Sequence, residues 1–218
     1  MMPLEPRMDL AVLSERLLRL FRLDTTVFDE VRHEPAATVP AIMVVVGASA
    51  LAGIGGWIWW AVQGFGSGGE IFIESVVMGS IFCVALWIVW LLVAWVMLTQ
   101  LFREDADWQQ MLRTMGLAAA PLALSVLMFI PGVGFGIGLA SVALFFGLTT
   151  IAIQAVTPAN PARVLVANLC GFAVWAIVLG LLATPSSHLA PGIFLVDSAT
   201  EALSNVIDHA GVDLSDLL

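Results

Sequence analysis

Hydrophobic residues in this chain fall into long blocks separated by short polar links. Five apolar runs occupy residues 39–62, 71–98, 115–130, 133–156 and 162–182. A helix needs about 20 apolar residues to cross a bilayer core, so the pattern predicts five membrane spans. The second run exceeds that length. Glu70 and Glu74 at its start predict a first turn among the headgroups and a core beginning near Val76. The third run is short and holds Pro121, whose missing N–H leaves the carbonyl of Leu117 without its helical partner. A kink is expected there. A re-entrant hairpin over residues 115–156, leaving three full spans, is the alternative that this shortness allows.

The links carry their own signals. Residues 63–69 are glycine-rich and read as a flexible loop, and residues 99–112 form the most polar link. Pro131-Gly132 predicts a tight turn between the third and fourth runs. Asn160 suits an N-cap, with Pro161 in the first helical position. Before the first span, Leu10, Leu13, Leu17, Leu20 and Phe21 recur at helical spacing, with Ser14, Glu15, Arg19 and Arg22 opposite. An amphipathic helix over residues 9–22 follows, suited to an anionic membrane surface or to the protein's own loops. After the last span, Ser198-Ala199-Thr200-Glu201 has the capping-box pattern. Leu203, Val206, Ile207 and Ala210 then share a stripe, and Gly211 offers a stop. The layout is an N-terminal arm (1–38), a five-span domain (39–184) and an acidic tail with a short helix (185–218).

Composition agrees. Of 218 residues, 60% are hydrophobic and 11% charged, with a mean hydropathy of +1.00. A soluble domain is typically about 45–50% apolar and about 25% charged. A water-soluble domain, a disordered tail and a disulfide-stapled module are excluded. The fold class is an all-α integral membrane protein, a five-span helical bundle with flanking amphipathic helices. The 17 acidic residues against 8 basic ones argue against nucleic acid.

All basic residues are arginines, and their placement reports orientation. With the N-terminus cytosolic, Arg7, Arg16, Arg19, Arg22 and Arg32 of the arm, Arg103 and Arg113 of the second link and Arg163 of the fourth share one side. The tail opposite holds Asp197, Glu201, Asp208, Asp213 and Asp216. The expected location is the cell membrane, of bacterial inner type, with the C-terminus extracytosolic. The first apolar run follows a charged segment, so it reads as a retained signal anchor, not a cleavable signal. Trp57, Trp59 and Trp60 mark its outer end, and Trp95 and Trp108 the inner interface. Trp87, Trp90 and Trp175 fall deeper, as packing residues.

Chemistry is sparse. Ionisable groups inside spans mark ion paths, yet the last three spans hold none in their interiors, and Glu74 is expected at the outer boundary. Cys83 and Cys170 read as small buried hydrophobes. His33, His188 and His209 are scattered, and Ser67 sits in a glycine loop without a base. No catalytic residue, cofactor or metal is expected. Gly132, Gly134, Gly136 and Gly138 lack the spacing of a dinucleotide fingerprint. With Ala48/Ala52, Ser49/Gly53 and Ala167/Gly171 they give small residues four apart, which lets helices approach closely. Ser125, Ser141, Thr149, Thr150 and Asn168 either bond locally and across helices or line a narrow polar path.

Two segments resemble the Ypt-interacting protein (YIP) domain family. Phe28-Asp29-Glu30-Val31-Arg32-His33-Glu34-Pro35, followed by Pro40, is similar to the family's pre-membrane phenylalanine, acidic helix and proline. Trp108-Gln109-Gln110-Met111-Leu112-Arg113-Thr114-Met115-Gly116, then Pro121 and Ile130-Pro131, resembles its polar link, its third span and the turn after it. The likeness covers roughly residues 20–184. It implies five spans, a cytosolic N-terminus and a role through protein contacts. Eukaryotic members associate with Rab-type GTPases. Their Asp-Leu-Tyr-Gly-Pro signature is missing here, the chain has no tyrosine, and Thr25 and Thr26 stand where the family has a proline. These departures resemble the prokaryotic branch and argue against GTPase binding.

The expected function is therefore non-enzymatic: a membrane protein that organises or binds other membrane proteins, or its own copies. Arg103, Glu104, Asp105, Asp107 and Trp108 are the candidate partner contacts, and they equally fit a solvated loop with helix caps. Gly116, Pro121, Pro131, Gly132 and Gly136 are the candidate kink and packing residues. The alternative is a small permease or channel subunit whose glycine- and proline-broken helices expose backbone carbonyls.

Overall fold

The computed structural model describes residues 10–63, 68–130 and 132–182, and every regular element among them is helical. The amphipathic stretch forms α1 (Leu10–Phe21), and a turn with Leu23 at φ 60° leads into α2 (Val27–Arg32). A 3-10 turn, Pro35–Ala37, opens α3 (Thr38–Gln63). The second apolar run comprises α4 (Gly68–Phe72), a π-helical turn (Ile73–Met78), α5 (Gly79–Val96) and a second π-helical turn (Met97–Leu101). Next come α6 (Trp108–Leu117), a 3-10 segment (Ala120–Phe129), α7 (Gly134–Gln154) and α8 (Pro161–Leu182). Five stretches are long and apolar enough to cross a membrane: Pro35–Val62, Gly69–Leu101, Trp108–Phe129, Gly134–Gln154 and Pro161–Leu182. The chain is an all-α membrane bundle. Ser67, Pro131, His188, His209, the tail acids and the tail helix anticipated after Ser198 lie outside the described residues.

The third span differs most from its sequence pattern. The kink expected at Pro121 is a change of helix type: α6 ends at Leu117 and the chain continues as 3-10 helix from Ala120. A 3-10 helix rises about 2.0 Å per residue against 1.5 Å in an α-helix. The ten residues of Ala120–Phe129 therefore cover about 20 Å instead of about 15 Å. The run that looked too short gains length in this way. It gains more because helix starts at Trp108, where the side chain of Asp107 accepts a bond from the Gln110 amide at 2.8 Å. The polar link is correspondingly shorter than residues 99–112, because helix claims both of its ends. Asp107 followed by Gln110 three residues on is a capping-box spacing, the signal that marks this start. The cap expected at Asn160 is present, its side chain accepting from the Ala162 amide at 2.9 Å.

Close approach of backbones fixes the bundle. A Cβ on Gly55 of α3 would stand 2.3 Å from the Ser125 carbonyl oxygen of the 3-10 segment. Gly171 of α8 likewise seats Trp90 of α5, since a Cβ there would lie 2.2 Å from the indole Cδ1. Trp90 also meets Phe145 of α7 at 4.9 Å and Trp175 of α8 at 5.8 Å between ring centres. Trp87, Trp90 and Trp175 are thus buried packing residues. The third span lies innermost: 67% of its most apolar stretch is buried, against 33–44% in the other four.

Candidate functional site

At the arginine-bearing end, the arm is bolted to the spans. Arg113 of α6 is buried, and its guanidinium donates to the Arg32 carbonyl (2.8 Å), Thr38 Oγ1 (2.9 Å) and Gln109 Oε1 (3.2 Å). One residue thereby joins α2, α3 and α6. Arg32 donates to the Ala155 carbonyl at the end of α7 and pairs with Asp29 at 3.3 Å. Phe28 of α2 is fully buried among Leu20, Val27, Val31 and Leu117. Segments 28–35 and 108–116 therefore meet in space, with Gly116 of α6 set against Ala41 of α3.

The α1–α2 corner is held by charge. Arg19 bonds Asp24 and Glu30, each at 2.8 Å, and Arg16 pairs with Glu34. The bonds to Glu30 and then Asp24 raise the Arg19 pKa above its ordinary value. Asp24 is held below the usual carboxylate range by the Thr26 hydroxyl and then Arg19, and Glu30 is lowered by Arg19. Of the apolar face expected on α1, Leu20 is buried and Leu13 and Leu17 pack partly on the arm core, whereas Phe21 is 56% exposed.

The candidate contact residues sit beside this cap on a loop pinned from several sides. Glu104 forms an ion pair with Arg163 at the start of α8. The Thr157 hydroxyl donates to the Asp105 carbonyl at 2.7 Å. Asp107 caps α6, and Trp108 meets Trp95 edge-on at 5.9 Å, while Trp95 donates to the Ala106 carbonyl at 3.0 Å. Arg103 is exposed at φ 55°, and Asp105 and Asp107 are exposed as well. The five residues form one charged edge, with Glu104 and Trp108 turned partly inward.

Between the spans, Asn168 and Ser141 bond across helices. The Trp90 indole N–H donates to Asn168 Oδ1 (2.8 Å), and Asn168 Nδ2 donates to Thr149 Oγ1 (3.0 Å), Thr150 Oγ1 (2.8 Å) and the Phe146 carbonyl (3.2 Å). Asn168 thus ties α5, α7 and α8 together. Ser141 donates to the Pro121 carbonyl at 2.9 Å and lies 2.9 Å from Ser125 Oγ. Gly132 takes φ +81°, the left-handed conformation that suits glycine in the turn before α7. Gly134 packs on the Met128 carbonyl, where a Cβ would stand at 2.1 Å, but Gly136 faces outward with nothing within 4 Å of a Cβ. Among the described residues no group of three or more His, Cys, Asp or Glu side chains gathers.

Fold and site together define a five-span, all-α membrane protein with a charged cap at one end. No family model, curated protein or solved structure matches the chain.

Proposed function

We propose that this chain is a non-enzymatic membrane protein of YIP type, oriented with the arm in the cytosol, that binds or organises other membrane proteins through its charged edge. The observation that carries this reading is the loop at 103–107. Its backbone is pinned by Glu104–Arg163, Thr157 and the Asp107 cap, yet Arg103, Asp105 and Asp107 are exposed. Exposed charges on a preordered frame lose little conformational freedom on binding a partner. The satisfied interior around Asn168 supports the same reading, because a conducting path needs polar groups left open to a solute.

The test is a photo-crosslinking amino acid at Asp105 in living cells. A specific protein adduct that disappears on Arg103→Glu is expected. Recovery of lipid adducts and self-adducts alone would refute the partner role. A second reading, a small permease or channel subunit, draws on the break at Pro121. The Pro121 carbonyl is already engaged by Ser141, and solute flux in proteoliposomes of the pure chain would favour this reading over the first.

A further inference from the structure

Where α1 lies against α3 it leaves an open apolar groove. Leu13, Leu17 and Phe21 of α1 form one wall, and Met43, Gly47 and Leu51 of α3 line the other. Ala123 of the 3-10 segment is part of the floor. The groove has a volume of about 280 Å³ and no charged lining residue. Sites that enclose a whole small molecule run to about 300–1,000 Å³, so this one suits a chain whose head lies outside.

What covers it follows from depth, surface and charge. Thr38, bonded to Arg113, marks the arginine-bearing end of α3. Met43 and Leu51 come five and thirteen residues later, about 8 and 20 Å along the helix axis. One leaflet of a roughly 30 Å hydrocarbon core is about 15 Å deep. Measured from Thr38, the groove therefore lies about 8 to 20 Å deep, from mid-leaflet to just past the bilayer middle, a depth one acyl chain reaches. Phe21, Met43 and Leu51 are exposed, and Met43 and Leu51 belong to a span long and apolar enough to cross a membrane.

Charge selects the head. Arg16 pairs with Glu34 and Arg19 with both Asp24 and Glu30, so these two cations are already engaged, with one carboxylate charge left over. Arg22, next after groove residue Phe21, is exposed, and its side chain makes no hydrogen bond or ion pair among the described residues. Glu15 stands seven residues earlier, about 10 Å along the axis, too far to neutralise it. An arginine stem can run along apolar surface while its guanidinium reaches the headgroups.

We propose that the groove holds one acyl chain of an anionic phospholipid from the arginine-side leaflet, with the lipid phosphate beside Arg22. Gly47 gives a direct test, because it lines the groove and a Cβ there meets nothing within 4 Å, so a large side chain starts in open space. Gly136 is the control, equally open but on the outward face of α7. The full-length chain, delipidated in mild detergent, is titrated with dioleoylphosphatidylglycerol and read by native mass spectrometry.

The unaltered chain is expected to gain its first adduct at about tenfold lower lipid than Gly47→Trp. Gly136→Trp should match the unaltered chain. Arg22→Gln should weaken phosphatidylglycerol severalfold and leave dioleoylphosphatidylcholine unchanged. Equal binding by Gly47→Trp, or an equal loss in Gly136→Trp, would overturn the proposal. So would a dimer that Gly47→Trp dissociates in place of a lipid adduct, which would seat a second copy in the groove. Thermal melts confirm that each variant is folded. The result is independent of the protein partner, since the groove requires only a bilayer.

Discussion

Arg113 is a buried cation solvated by three uncharged oxygens on three different elements, so its geometry matters more than its charge. A lysine has no planar fork to reach all three. Arg113→Lys is expected to lower stability by about 1–3 kcal/mol, the cost of leaving buried acceptors unmet, read from denaturant unfolding in micelles. Asn168→Leu should cost about 1–2 kcal/mol, since membrane hydrogen bonds contribute modestly. The carboxylates at the α1–α2 corner set a pH dependence. Asp24 and Glu30 have folded pKa values below their unfolded ones. Their contribution is complete above the ordinary carboxylate range, about pH 4, and is lost as pH falls through the folded values. Amide NMR shifts of residues 22–30 should therefore move together only on acidification below about pH 4. The sequence displayed Arg113 as an orientation marker and Asn168 as a polar residue in a span. It could not display most of their partners: apart from Gln109, one turn from Arg113 on the same helix, these come from other elements.

At the scale of elements, glycines separate into those under pressure and those in open space. Gly55→Ala should force α3 away from the 3-10 segment and cost about 1–3 kcal/mol, seen as a lower melting temperature in detergent. Gly136→Ala should leave that temperature unchanged. Spacing alone identified the four-residue pairs Ala48/Ala52, Ser49/Gly53 and Ala167/Gly171, and all six positions are buried. It could not choose between Gly132/Gly136 and Gly134/Gly138, because it shows neither that Gly132 lies in the turn before α7 nor which side of α7 faces the bundle. The spans were legible from their apolar length. The helix type of the third was not, because 3-10 geometry depends on Pro121 together with the contacts that Ser141 and Gly55 offer it.

For the whole molecule, the arginines make a testable map: a reporter after Leu218 is expected outside the cytosol and one within residues 103–107 inside it. The buried position of the third span reaches further, into how the chain is made. Synthesis delivers Trp108–Phe129 before α7 and α8 exist, and this segment is the least hydropathic of the five. Its natural neighbours are protein, so lipid alone offers it a poor destination as it leaves the insertion machinery. It should be held there until α7 follows, and the two should enter as a pair. Glycosylation mapping of nascent chains should show poor integration of the third segment when the chain stops at Ile130 and efficient integration when it continues through Gln154.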